Sequence, residues 1–224
     1  MELNRDLALE RLHEHVKNEK TVVHCLASEA VLRALARKLG EDEDRWGLTA
    51  LLHDVDVEVT HADPKVHALK AEELLSDFGF DEEMLDAIRM HNDEATGIPR
   101  STRFQHALAA GETITGLIYA TTLVYPDKKI ESIKYKSVRK RMTEKAFAAS
   151  VKREHILECE QIGIPLDEFI RISVDAMRDI ADDIGLGPGA TTPVDGRHFT
   201  SWPGAISPTG QIPSGSGPQL TWLL

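Results

Sequence analysis

The sequence predicts an all-α protein with its chemistry inside a helical bundle. Three observations carry that expectation. Apolar residues recur at steps of three and four along most of the first 185 positions. No stretch of convincing length alternates apolar and polar as a half-buried strand would. Aromatics make up only 5% of the 224 residues, which fits a Leu- and Ala-rich helical core better than a sandwich of sheets.

The elements follow in order. Arg5 to Val16 is amphipathic on Leu7, Leu9, Leu12 and Val16. Thr21 to Leu39 places Ala27, Ala30, Val31, Ala34 and Leu35 on one side, and Gly40 stops it. Arg45 to about Val57 is a short, apolar helix, with His53 and Asp54 in its middle. Pro64 fits the first turn of a helix running to Phe78 and ended by Gly79. Asp81 caps Glu82 to His91, and Ser101 caps a long helix through Val124. Pro165 opens a last helix that Gly185 closes. Residues 1–185 are therefore expected to form the bundle. Residues 186–224 hold seven Gly and six Pro but only Asp195 and Arg197 as charges, and read as a disordered or non-native extension.

Composition excludes several function classes. Two cysteines make no disulfide framework. No signal peptide is evident, and the longest nearly apolar run, Gly116 to Tyr125, is about half the length of a spanning helix. A cytoplasmic protein away from the membrane is the expectation. The net charge of −11 opposes general binding to nucleic acid. It is uneven: Lys128 to Arg153 holds ten Lys or Arg against two acids, a balance of +8, which leaves −19 for the rest.

Ionisable residues inside apolar helix faces point to the chemistry. His24 lies in line with Ala27, Ser28, Val31 and Leu35. His53 and Asp54 follow Leu51 and Leu52. His67 and His91 fall on the next two helices, and Glu112 lies among Ala109, Ala110 and Ile114. Such groups are costly to bury without partners. Imidazole and carboxylate together suit a divalent transition metal (Mn, Fe, Co, Ni or Zn), with Mg also able to serve. No cysteine cluster offers a thiolate zinc site. The remaining histidines, including His61, His106 and His155, have no strong claim.

The order His24, His53-Asp54, then a later acid resembles the HD superfamily of metal-dependent phosphohydrolases. The blocks HCLASEAVLRALARKLGEDEDRWGLTALLHDVDVEVT, DPKVHALKAEELL, AIRMHN, TGLIYATTLVYPDKKI and SVRKRMTEKAFAASVKREHI are similar to HDIG-type members from bacteria and archaea. The resemblance covers roughly residues 4 to 186. It implies that His24, His53, Asp54 and Glu112 hold one ion. Asp54, His67 and His91 would hold a second, bridged by Asp54, with Asp54 and His53 carrying catalysis. Glu112 departs from the family's usual Asp. The run His53-Asp54-Val55-Asp56-Val57 lacks the lysine of the HD-x-G-K form, which argues against a cyclic-dinucleotide phosphodiesterase.

The implied reaction is hydrolysis of a phosphate ester or phosphoanhydride of a small metabolite or nucleotide by a metal-activated water. Phosphates need a positive receiver, for which Lys134, Lys136, Arg139, Lys140, Arg141 and Arg153 are the candidates. A long nucleic acid is not expected, because no aromatics interleave with these cations. A di-iron oxygenase of the same superfamily and a non-catalytic HD-like binding module are the alternatives.

Overall fold

A computed structural model describes residues 4–188. Among them, every regular element is helical: α1 (Arg5–His15), α2 (Glu19–Leu39), α3 (Glu43–Leu51), α4 (Ala71–Leu75), α5 (Glu82–His91), α6 (Asp93–Thr96), α7 (Arg103–Leu123), α8 (Tyr135–Arg141), α9 (Arg153–Ile156) and α10 (Leu166–Asp179). Two 3₁₀ turns, Ile130–Ser132 and Leu157–Glu160, flank α8 and α9. Most of the Gly/Pro-rich tail, with Trp202 and Trp222, lies outside the described residues. No helix among the described residues is long and apolar enough to cross a membrane.

Helix α7 is the axis of the bundle. It is apolar on all sides, and a helix of that kind has to be enclosed. It packs against α2, α5, α9 and α10, and all but its first and last turns are buried. Its threonines tolerate this because they bond backward within the helix: Thr121 and Thr122 donate to the carbonyls of Leu117 and Ile118 at 2.7 and 2.9 Å. Gly111 brings α2 close. A Cβ there would lie 2.4 Å from Leu32 Cδ2. On α10, Asp167, Arg171, Asp175 and Asp179 recur every four residues on the exposed side, while Phe169, Ile170, Val174 and Met177 face the core.

Most boundaries match the sequence reading. Gly40 ends α2 in a left-handed conformation at φ 75°, and Asp81 accepts from the amides of Glu83 and Met84 to start α5. The cap of α7 is Thr102 rather than Ser101, in a reciprocal arrangement with Gln105.

Two helices are corrected. The third ends at Leu51, so His53 and Asp54 stand beyond it, in a chain of turns. A continuous helix from Pro64 to Phe78 does not form, and only Ala71–Leu75 is α-helical. The backbone shows the break: Ala68 sits at φ 76°, and His61 and Ala62 are also left-handed, which no right-handed helix accommodates.

Candidate metal centre

Six side chains from five segments meet beside α7. His24 comes from the early turns of α2, and His53 and Asp54 from the turns after α3. His67 stands on the turn segment before α4, His91 is the last residue of α5, and Glu112 lies midway along α7. All six are buried.

Each imidazole is anchored through Nδ1. His53 donates to the Ala50 carbonyl at 2.7 Å and His91 to the Ile88 carbonyl at 2.6 Å, both free acceptors near a helix end. His67 donates to Asp56 Oδ1 at 2.8 Å. His24 donates to Thr115 Oγ1 at 3.0 Å, since that hydroxyl spends its own proton on the Glu112 carbonyl at 2.6 Å. Anchoring at Nδ1 turns all four Nε2 atoms inward, where each can ligate once it carries no proton.

The four Nε2 atoms converge on Asp54. The Nε2 atoms of His24 and His53 are 3.1 Å apart, and those of His67 and His91 are 3.2 Å apart. Asp54 Oδ1 lies 3.0, 3.4 and 3.6 Å from Nε2 of His67, His53 and His91. Asp54 Oδ2 and Glu112 Oε2 each lie 3.7 Å from His24 Nε2. Two lone pairs at 3.1 Å repel unless a proton or cation sits between them. Ligand atoms about 2.1 Å from one ion, in tetrahedral or octahedral order, are about 3.0–3.4 Å apart. The donor set therefore fits divalent ions, with His24, His53 and Glu112 as one group and His53, Asp54 and His91 as another.

Burial and charge act together on these groups. Burial pushes the His24 proton off and takes His53 down to about 3. Burial would raise the Asp54 carboxyl, but His53, His67 and His91 hold it well below the usual range. Burial also works against a charged His67, yet Asp54 and Asp56 outweigh it and raise the ring to about 10. Glu112 is raised to about 8 by burial, reinforced by the charge of Asp54. Its side chain accepts a hydrogen bond from the Thr113 hydroxyl.

The centre forms the floor of a cleft of about 340 Å³, measured to its open mouth. The basic residues expected to receive phosphate do not line it. Lys134 and Lys136 face solvent. Arg139 pairs with Asp167 at 2.9 Å, and Lys140 and Arg141 pair with Glu144. Arg153 is spent on the carbonyls of Phe147, Ala148 and Val151, closing a turn. A helix as short as α8, packed on α10, turns its charges outward.

The lip of the cleft consists instead of Asn92, Asp93, Lys152 and His155. Sequence reasoning set His155 aside. Its signal was the spacing of Lys152 and His155, three residues apart at the end of the basic segment. Arg100 was also missed. It donates to the Met90 and His91 carbonyls at 2.8 and 3.2 Å while gripping Glu158 with two bonds, which fixes the end of α5 where His91 stands.

No curated protein and no solved structure gives a significant match to the chain. The family model for the HD domain matches residues 21–121, a span that contains His24, His53, Asp54, His67, His91 and Glu112. Residues 21–121 thus match the HD domain, which is consistent with an HD-superfamily protein and marks a superfamily of the metal-dependent phosphohydrolase type.

Proposed function

We infer that this chain hydrolyses a phosphate ester or phosphoanhydride of a small metabolite or nucleotide. The observation that carries the reading is the convergence of four anchored Nε2 atoms on one buried carboxylate, at the spacing of atoms that share an ion. In this reading His24, His53, Asp54 and Glu112 hold one ion, and Asp54, His67 and His91 the other. A bound divalent ion supplies an acidified water and neutralises charge on the phosphoryl oxygens.

The protein's own residues do the rest. Asp54 stands between the two histidine pairs and supplies their shared negative charge. Ala50, Asp56, Ile88 and Thr115 hold the rings so that no reorganisation is needed when substrate arrives. Glu112 keeps a proton at neutral pH until a cation takes its place. Among the described residues, Lys152 brings the one side-chain ammonium to the lip, beside Asp93.

The test pairs elemental analysis of untreated protein with phosphate release from nucleotides and p-nitrophenyl phosphate, supplied with Mn, Co, Ni, Mg or Fe. Up to two equivalents of metal with phosphate release is the expected result. Bound metal without release from any ester sinks the reading. If that metal is two equivalents of iron, oxygen chemistry becomes the better account.

A further inference from the structure

We propose that Asp93, Lys152 and His155 form a recognition arm at the lip of the cleft, and that it grips the hydroxyl groups of a small polyol or sugar phosphate. The inference rests on the hydrolase reading for the phosphate end of the substrate and adds what carries that phosphate.

The arm is built from two segments far apart in sequence. Asp93 opens α6, directly after the end of α5. Lys152 and His155 stand at the start of α9. The Lys152 ammonium lies 3.1 Å from Asp93 Oδ1 and 2.9 Å from Glu94 Oε1. His155 Nε2 lies 3.2 Å from Asp93 Oδ2. Both oxygens of Asp93 are thus held by cleft-lining partners, which aims the carboxylate along the lip. Asp93 remains 43% exposed and Lys152 25%, so a ligand reaches both. Asn92, the other lip residue, is committed elsewhere: its amide donates to the Pro64 and His67 carbonyls, and its oxygen accepts from the Glu94 amide.

The chemistry of the arm identifies its ligand. An ammonium only donates and a carboxylate only accepts. Adjacent hydroxyls do both, so they bridge such a pair. The arm is a poor phosphate site by itself, because Asp93 and Glu94 offset the charge of Lys152. Phosphate belongs on the floor, and the neutral polar part of the molecule at the lip. A nucleobase needs a flat apolar or aromatic platform. Among the described residues that line this cleft the only aromatic rings are imidazoles, and His24, His67, His91 and His155 are all buried, so none offers an open face for a base.

The test uses the full chain loaded with Mn and three monoesters: ribose 5-phosphate, AMP and p-nitrophenyl phosphate. AMP adds a base to the sugar phosphate, and p-nitrophenyl phosphate replaces the sugar by a ring without alcohols. The expected kcat/KM for ribose 5-phosphate exceeds that for AMP at least tenfold. Asp93→Asn and Lys152→Met each lower the preference for ribose 5-phosphate over p-nitrophenyl phosphate at least tenfold, through KM, and Lys152→Arg recovers part of it. A preference for AMP, or an unchanged preference in both variants, overturns the arm. Failure of all three esters to release phosphate overturns the hydrolase reading instead. The arm is then decided by calorimetric binding: ribose 5-phosphate bound tenfold tighter than inorganic phosphate, with the difference lost in Asp93→Asn, keeps it, and equal binding discards it.

Discussion

Asp54 is the residue on which the centre turns, because three imidazoles lean on one of its oxygens and a fourth faces the other. Asp54→Ala removes the charge that both proposed ions share. Elemental analysis of the variant is expected to show loss of both ions, with phosphate release abolished and helical circular dichroism retained. Full metal content in that variant would show that the ions sit elsewhere. Asp56 acts one step back. It is fully buried, accepts from His67 Nδ1 at 2.8 Å and from the Lys70 amide at 3.1 Å, and so fixes both the tautomer of the ring and the turn that carries it. Asp56→Asn is expected to weaken the ion served by His67 about 10- to 100-fold, read as a drop towards one equivalent of metal, while the ion at His24 and Glu112 stays. Equal loss of both would mean that the variant disturbs the whole centre. His24, His53, Asp54 and Glu112 stood out in the sequence as ionisable groups in apolar settings, whereas His67 and His91 joined them through the family resemblance. Asp93 did not stand out, because an acid in the polar run from His91 to Glu94 carries no such contrast, and Asp56, between Val55 and Val57, carried the contrast but went unread beside Asp54. The same contrast misled for Lys134 to Arg141, where dense charge marked an outward-facing helix.

At the scale of elements, the long helices were legible and the short ones were not. The steps of three and four along α2, α7 and α10 leave little choice, and their stops are Gly40, the end of an apolar run, and a turn leading to Gly185. Residues 52–57 and 64–70 read as parts of two helices yet fold as successive turns. Their fate is set by tertiary contacts: Asp56 draws in His67 and Lys70, and Asn92 holds the carbonyls of Pro64 and His67. Such contacts leave no periodic trace. The turns matter for the centre, since they let His53, Asp54 and His67 approach from directions that one straight helix would not allow. The α2–α7 contact is the other fixed element of the site, because it carries His24 to Glu112. Gly111 permits it. Gly111→Ala puts a methyl into Leu32 and is expected to cost about 1–3 kcal/mol, even though alanine favours helix. Chemical denaturation of the metal-free protein checks this. A stability equal to or above that of the parent would mean that α2 and α7 have room to spare.

The whole molecule carries −11, and its centre gathers acids and imidazoles whose proton affinities burial and charge have moved in opposite directions. Without an ion, that arrangement gives stability a defined dependence on pH. His53 is neutral in the folded chain down to about 3, whereas an exposed histidine protonates near 6.5. Its contribution is therefore full above about 6.5 and is lost as pH falls towards 3, and Asp54 adds to the loss at the acid end. His67 works the other way. Its folded value of about 10 means that stability is present below about 6.5 and is lost as pH rises through 10. Glu112, raised to about 8, binds a proton that an unfolded chain has released above about 4.5, so it too lowers stability as pH rises to 8. The metal-free chain is thus expected to be most stable near pH 6 and to weaken steadily towards pH 9. In the proposed centre an ion would replace the protons on His67 and Glu112, and its binding would tighten as those protons become easier to remove. The gap in Tm between Mn-loaded and chelator-treated protein should therefore widen from about pH 6 to pH 9, and ion uptake near pH 7 should release about one proton per ion. Thermal scans across that range, with calorimetry in two buffers of different ionisation enthalpy, measure both quantities. A gap that stays constant, with no proton released, would mean that the ions bind away from His67 and Glu112.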